Sequence, residues 1–215
     1  ECYKKAIENN PNDVVSISNY AFFLSNYKNE YDKAQMYFEK VCRMSPNFVN
    51  NLVNYSAFLR KVRKDYDNAF VYLKRAIRLG SNDSNLFLQY GIFLSEIHER
   101  HDEAESYFLK AIEKDSKNVN NVLGYARFLK NVRQDYIKAK DYLETALDID
   151  PNHSDALGNY ANFLFQISKN YNKAKTFYLK ALKVDKNNPI KMSNYASFLK
   201  EIGEYDQSIE FFQKT

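Results

Sequence analysis

Tryptophan is absent, and the 215 residues include only five glycines, four prolines, three histidines and two cysteines. So little glycine and proline excludes an architecture of many strands joined by tight turns. The glycines stand singly at Gly80, Gly91, Gly124, Gly158 and Gly203, so no glycine-rich loop is available to cradle a phosphate. Cys2 and Cys42 are too few for a disulfide framework. Both lie in apolar-periodic stretches where a small buried hydrophobe serves, so a reducing compartment is the default. No apolar run approaches the roughly 18 residues of a membrane span, and no basic segment with an apolar stretch opens the chain, so membrane insertion is not expected. A net charge of +4 is too weak to demand a polyanionic partner. The Asn-x-Ser triplets at Asn54, Asn82 and Asn152 are expected by chance in so asparagine-rich a chain.

What is present is apolar and aromatic: 45% hydrophobic residues with 18 tyrosines and 16 phenylalanines, enough to fold rather than stay disordered. These residues recur. Tyr20, Tyr55, Tyr90, Tyr125, Tyr160 and Tyr195 are spaced by 35, and Phe-Leu follows three residues after each, from Phe23-Leu24 to Phe198-Leu199. A second register holds small residues at Ala34, Ala69, Ala104, Ala139, Ala174 and Ser208. Seven residues on from these stand Val41, Ala76, Ala111, Ala146, Ala181 and Thr215. Between these two series lie Phe38, Leu73, Phe108, Leu143, Tyr178 and Phe212.

Ile17, Tyr20, Ala21 and Leu24 follow the i, i+3, i+4, i+7 spacing of one helical face, and Tyr31, Ala34, Phe38 and Val41 form a second face. Each repeat is therefore expected to be a helical hairpin, helix A then helix B. A helix of about 14 residues is about 21 Å long and marginal alone in water, so the hairpins must stack. Pro11-Asn12, Pro46-Asn47 and Pro151-Asn152 separate helix B from the next helix A. Asn188-Pro189 has the form of an N-cap with proline at the first helical position, and Asp65, Asp135 and Asn170 can cap helix B.

These residues resemble the tetratricopeptide repeat over the whole chain. The small slot of helix A matches Ala21, Ser56, Gly91, Ala126, Ala161 and Ala196, and the two small slots of helix B match the series above. The pattern departs from the family by placing tyrosine before the small residue and leucine after it, and by one extra turn residue in five of six repeats. The turn at Gly203 and Tyr205 is the short one. The resemblance implies an all-α fold, a right-handed α-solenoid or superhelix of six hairpins at about 12–46, 47–81, 82–116, 117–151, 152–186 and 187–215, forming one domain. Residues 1–11 then hold helix B of a preceding repeat, and Thr215 falls inside the last helix B, so the array is read as truncated inside helix B at both ends. Ile209, Phe211 and Phe212 would leave apolar surface open there.

Catalytic chemistry is sparse. Thr145, Thr176 and Thr215 are the only threonines, and the serines fall mostly at turns or small slots, so no nucleophile converges with a base, and no enzyme activity is expected. His98 and His101 with nearby acids could be read as zinc ligands, but a solvated turn of mixed charge is the stronger reading. His153 reads as a surface turn residue, and neither metal nor cofactor nor small-molecule substrate is expected.

Binding chemistry is richer. Immediately before the repeat tyrosines stand Asn19, Asn54, Gln89, Gly124, Asn159 and Asn194, a carboxamide in five of six repeats. In the resembled family such helix A positions line a concave groove, where carboxamides can pair with the main chain of an extended peptide. Local hydrogen bonding is the competing role. Two residues after the tyrosines come Phe22, Ala57, Ile92, Arg127, Asn162 and Ser197, apolar at first and polar later. The lysine, asparagine and arginine set by which chaperone-binding relatives clamp a terminal carboxylate is not found. Arg60, Lys61, Arg63 and Lys64, then Lys130 and Arg133, form a candidate basic edge at the turns, interrupted by Glu96, Glu99, Asp102 and Glu103. Without interleaved exposed aromatics, this edge reads as solubilising, and nucleic acid is disfavoured.

The resulting expectation is a non-catalytic protein-interaction scaffold presenting a concave groove and basic-edged turns to protein partners within a larger assembly, cytoplasmic and in a cytoskeletal or ciliary setting. Alternatives are an extended-peptide receptor using the asparagine row, the interaction arm of a larger enzyme, and a scaffold like the half-a-tetratricopeptide repeats of RNA processing. The last lacks its tryptophan and its arginine-plus-acidic signature here.

Overall fold

The computed structural model describes residues 2–80, 82–96 and 100–214, and among these it contains thirteen α-helices and no strand. Glu1, Ser81, Ile97, His98, Glu99 and Thr215 lie outside the described residues, and with them one imidazole of the zinc reading and the last small slot.

The chain falls into two compact units, residues 1–107 and 108–215. The first contains α1 (Cys2–Asn9), the hairpin of α2 (Val14–Phe23) and α3 (Tyr31–Met44), the hairpin of α4 (Val49–Phe58) and α5 (Tyr66–Arg78), and α6 (Ser84–Glu96), and it ends in α7 (His101–Lys114). The second begins within α7 and continues with α8 (Val119–Phe128) and α9 (Tyr136–Ile149), α10 (Ser154–Gln166) and α11 (Tyr171–Val184), and α12 (Pro189–Glu201) and α13 (Tyr205–Gln213).

The small slots carry the packing. Ala21, Ala34, Val41, Ala69, Ala76, Ala104, Ala111, Ala139 and Ala146 all have no solvent exposure, so paired helices close to backbone distance and larger side chains fill the flanks. The helix starts follow the expected capping chemistry. Asp65, Asp135 and Asn170 accept from the backbone N–H groups of Asn68, Lys138 and Lys173 at 3.2, 3.1 and 3.1 Å. Asn188 accepts from Ile190 and Lys191, with Pro189 at the first position of α12.

The extra turn residue has a definite structural form. After α2, α4 and α8 the chain widens into a single π-helical turn, at Leu24–Lys28, Leu59–Arg63 and Leu129–Arg133. A left-handed residue then breaks the helix: Asn29, Lys64, Gln134 and, after α10, Lys169, with φ between 54 and 59°. In five hairpins the N–H six residues on returns to the leucine carbonyl: Glu30 to Leu24, Asp65 to Leu59, Arg100 to Leu94, Asp135 to Leu129 and Asn170 to Leu164. The sixth closes one residue sooner, Glu204 to Leu199, through Gly203 at φ 85°.

At several junctions a hairpin meets its neighbour through rings. Phe38 of α3 lies 5.3 Å from Tyr55 and 5.6 Å from Phe58 of α4. Phe108 meets Tyr125 and Phe128 in the same way, and Tyr178 meets Tyr195 and Phe198. Where the slot holds Leu73, Phe70 one turn earlier supplies the ring to Tyr90 and Phe93. The repeat tyrosine is thus an inter-hairpin contact. Its hydroxyl can also reach back to the preceding helix B: Tyr55 donates to Glu39 at 3.1 Å and Tyr160 to Glu144 at 2.7 Å.

Candidate functional site

Within each unit successive first helices touch, α2 with α4 and α4 with α6 in the first, α8 with α10 and α10 with α12 in the second. In the first unit their shared face encloses a cavity of about 280 Å³. Phe22 and Asn26 line it from α2 and its turn, Val53, Asn54 and Ala57 from α4, Lys61 and Val62 from the following turn, and Asn85 and Gln89 from α6. Two members of the carboxamide row, Asn54 and Gln89, and two of the neighbouring row, Phe22 and Ala57, therefore converge on one depression.

The carboxamides there are largely uncommitted. Asn54 is half-buried and makes no hydrogen bond among the described residues. Gln89 has one long bond, its Nε2 donating to Asn85 Oδ1 at 3.5 Å. Asn19 is exposed and also unbonded. In the second unit Asn159 and Asn194 are half-buried and unbonded on α10 and α12. Asn162 is different: its Oδ1 accepts from the Tyr178 hydroxyl at 2.5 Å. Local bonding, the competing role for the row, is therefore not what Asn54, Asn159 and Asn194 do.

The cations assigned to a basic edge divide by their partners. Arg60 pairs with Glu96 of α6 at 2.9 Å, while Arg63 turns the other way to Asp32 at 2.5 Å and Gln35 at 2.7 Å of α3. Arg63 also lies 5.6 Å from the centre of the Phe58 ring, and Arg133 lies 5.5 Å from that of Phe128. These arginines tie the turn of one hairpin to its neighbours or to its own aromatic. Lys64 takes the left-handed position, and Lys61 borders the cavity. Lys130 donates to Gln166 at 3.3 Å, and burial followed by the nearby positive charge of Arg127 pulls its ammonium below the ordinary lysine value.

Two expectations need correction. Exposed aromatics do stand beside the basic turns: Tyr66 and Tyr136 head α5 and α9 and are 38% and 39% exposed, and Tyr31 and Tyr171 at the heads of α3 and α11 are exposed too. Periodicity put Tyr31 on the buried stripe, but the first residue of a helix lies ahead of where its partner covers that stripe. His153 is half-buried rather than a plain surface residue, and its Nδ1 accepts from the Ala156 N–H at 3.4 Å to cap α10. His101 is half-buried, and no group of three or more His, Cys, Asp or Glu among the described residues is placed to hold a metal.

Missed from the sequence were Asn51 and Asn121, 1% and 0% exposed. Asn51 donates to Phe38 O and Cys42 Sγ at 3.1 and 3.2 Å, and Asn121 to Ala111 O and Asp115 O at 3.0 and 3.2 Å. Both fasten a first helix to the preceding second helix.

Models of the tetratricopeptide repeat family match residues 133–192 and 2–36. The chain is a tetratricopeptide repeat protein. Among solved structures it is similar to YrrB, described as a tetratricopeptide repeat protein with an unusual peptide-binding site. The identity is 23% over 89% of this chain and 96% of YrrB, with a TM-score of 0.54. It is also similar to a chain of the APC/C hetero-tetramer Cut9–Hcn1, at 14% identity over 99% of this chain and 41% of that one, with a TM-score of 0.80. A third is human IFIT1, solved as a dimer with m7Gppp-AAAA, at 18% identity over 94% and 49% of the two chains, with a TM-score of 0.78. At these identities the likeness is one of fold. Compared with curated proteins, the sequence matches none.

A tetratricopeptide repeat array is a protein-interaction scaffold, and the family's fold generally serves binding rather than catalysis. No helix among the described residues is long and apolar enough to cross a membrane.

Proposed function

We propose that this tetratricopeptide repeat protein captures an extended segment of a partner protein on the face made by its first helices. The observation that carries this reading is the first-unit cavity, where Asn54 and Gln89 stand beside Phe22, Val53 and Ala57. A volume of about 280 Å³ can admit an apolar side chain of the segment. Carboxamides on consecutive helices supply a donor and an acceptor each, as a peptide main chain requires. The half-buried, unbonded Asn159 and Asn194 offer the same chemistry in the second unit. YrrB, with its peptide-binding site, is a precedent on a similar fold. The partner is a protein of the cell interior in this reading, and the scaffold works as part of a larger assembly.

Selection from a random-peptide display library tests it. Retained peptides should bind the Asn54→Ala/Gln89→Ala chain at least about tenfold more weakly, the loss of one or two hydrogen bonds, while helicity by circular dichroism is unchanged. Equal binding by both chains overturns the reading for the first unit. If Asn159→Ala/Asn194→Ala is silent as well, it fails for the second.

A further inference from the structure

In the second unit, Arg127 and Lys130 stand about one helical turn apart on α8 and the π-turn that follows. Lys130 is half-buried, and its only hydrogen-bond partner among the described residues is Gln166 Oε1, a neutral acceptor 3.3 Å away. Arg127 is exposed and makes no hydrogen bond or ion pair among the described residues. Two cations thus face each other's charge without a carboxylate between them. Arg60, which holds the position of Lys130 two repeats earlier, meets Glu96 at 2.9 Å. Gln166 is the counterpart of that glutamate, so the acceptor is kept and its charge is missing. Burial, then the like charge of Arg127, lowers the proton affinity of Lys130, and an anion placed there would oppose that lowering by favouring the charged ammonium.

We propose that Arg127 and Lys130 receive a carboxylate, the side chain of an aspartate or glutamate in the protein segment held against α8 and α10. The inference rests on the groove reading above and adds the charge of the ligand. The guanidinium and the ammonium supply separate donors for the two oxygens of one carboxylate. A nucleic-acid backbone would call for repeated positive charge. The positions equivalent to Arg127 on α10 and α12 are Asn162 and Ser197, both uncharged, and of those equivalent to Lys130, Phe165 and Lys200, only the second is charged, so the pair of cations is not repeated. One acidic residue is the ligand that this distribution fits.

The test is selection from the same random-peptide display library on four chains: the native one, Arg127→Gln/Lys130→Gln, Arg127→Lys/Lys130→Arg, and the control Lys117→Gln/Lys186→Gln. The control matches the first variant in net charge but changes exposed lysines elsewhere. Peptides retained by the native chain should be enriched in Asp or Glu at one fixed position. The enrichment should fall to the level of the unselected library with Arg127→Gln/Lys130→Gln, and persist with the charge-keeping variant and the control. Equal acidic content in all four pools overturns this inference and leaves the groove reading standing. Loss of acidic content in the control also overturns it, because overall charge would then be the cause. If none of the chains retains any peptide, both readings fail.

Discussion

Asn51, Leu86, Asn121, Ala156 and Lys191 occupy one position of the 35-residue register. Leu86 and Ala156 fill it with apolar volume at no exposure. The two asparagines donate to backbone carbonyls there, and Lys191 reaches Asp155 at 2.8 Å and Asp185 at 3.1 Å. Asn121→Asp keeps the shape but turns a donor into an acceptor facing two carbonyls. It should cost about 3 kcal/mol in thermal or denaturant unfolding, and Asn121→Leu clearly less, because no polar side-chain atom is then left buried. Lys191 predicts a pH dependence. Burial opposes its charge, but the carboxylates of Asp155 and Asp185 outweigh burial and raise its proton affinity. Asp185 is held below its ordinary value by Lys191 first and by Asn188 second. The carboxylate contribution is therefore complete above the ordinary value of 3.8 and is lost as the pH falls through the lower folded value. The lysine contribution is complete below 10.5 and is lost as the pH rises through the higher folded value. Lys191→Met should cost about 1 kcal/mol at pH 7, a modest figure because the carboxylates are well solvated, and the gap in melting temperature should narrow in strong acid. The sequence signal for this set was available: polar residues at a register position otherwise apolar. A pattern defined by positions that keep one character in every repeat masks it.

At the scale of the element, the small slots, the caps at Asp65, Asp135, Asn170 and Asn188, and the extra turn residue were all legible by counting. The form the extra residue takes was not. A count shows one more residue between Leu59 and Tyr66 than between Leu199 and Tyr205, but not whether it loosens a loop or widens a helix. In the structure it widens the helix, and the return bond to the leucine carbonyl survives at the cost of a left-handed residue without glycine. For a side chain with a β-carbon that conformation costs roughly 1–2 kcal/mol. Gln134→Gly should therefore be neutral or stabilising by up to about 1 kcal/mol, after glycine's own entropy loss is counted, whereas Gln134→Val should lose about 1–2 kcal/mol. Melting temperatures of the two variants, with Lys169→Gly as a repeat of the first, check the sign. The candidate groove was legible in part. The row of Asn54, Gln89, Asn159 and Asn194 could be read, but not that Asn162 is engaged by Tyr178 or that Arg60 and Arg63 are spent on Glu96 and Asp32. Those partners lie 16 to 36 residues away, on neighbouring helices, where a repeat pattern carries no information about side-chain pairing.

At the scale of the whole molecule, adjacent hairpins within each unit stabilise one another, since rings pack across helix B and the next helix A. Damage should therefore stay local. Phe38→Ala removes a ring that is 1% exposed, worth about 3–5 kcal/mol. Amide hydrogen exchange should quicken in α2 to α5 and stay unchanged in α11 to α13, and uniform acceleration along the chain would count against nearest-neighbour stabilisation. The functional claim sits at this scale too, because the first helices of consecutive hairpins build the face on which a partner segment is proposed to lie. The direct measurement is chemical-shift mapping of the isotopically labelled chain as a library-selected peptide is added. The account predicts shifts at Asn54, Ala57 and Gln89, together with the side-chain amides of Asn159 and Asn194, and none at the exposed second-helix residues Val71, Ile137 and Leu179. Shifts confined to the second helices, with the Asn54 and Gln89 amides unmoved, would contradict it.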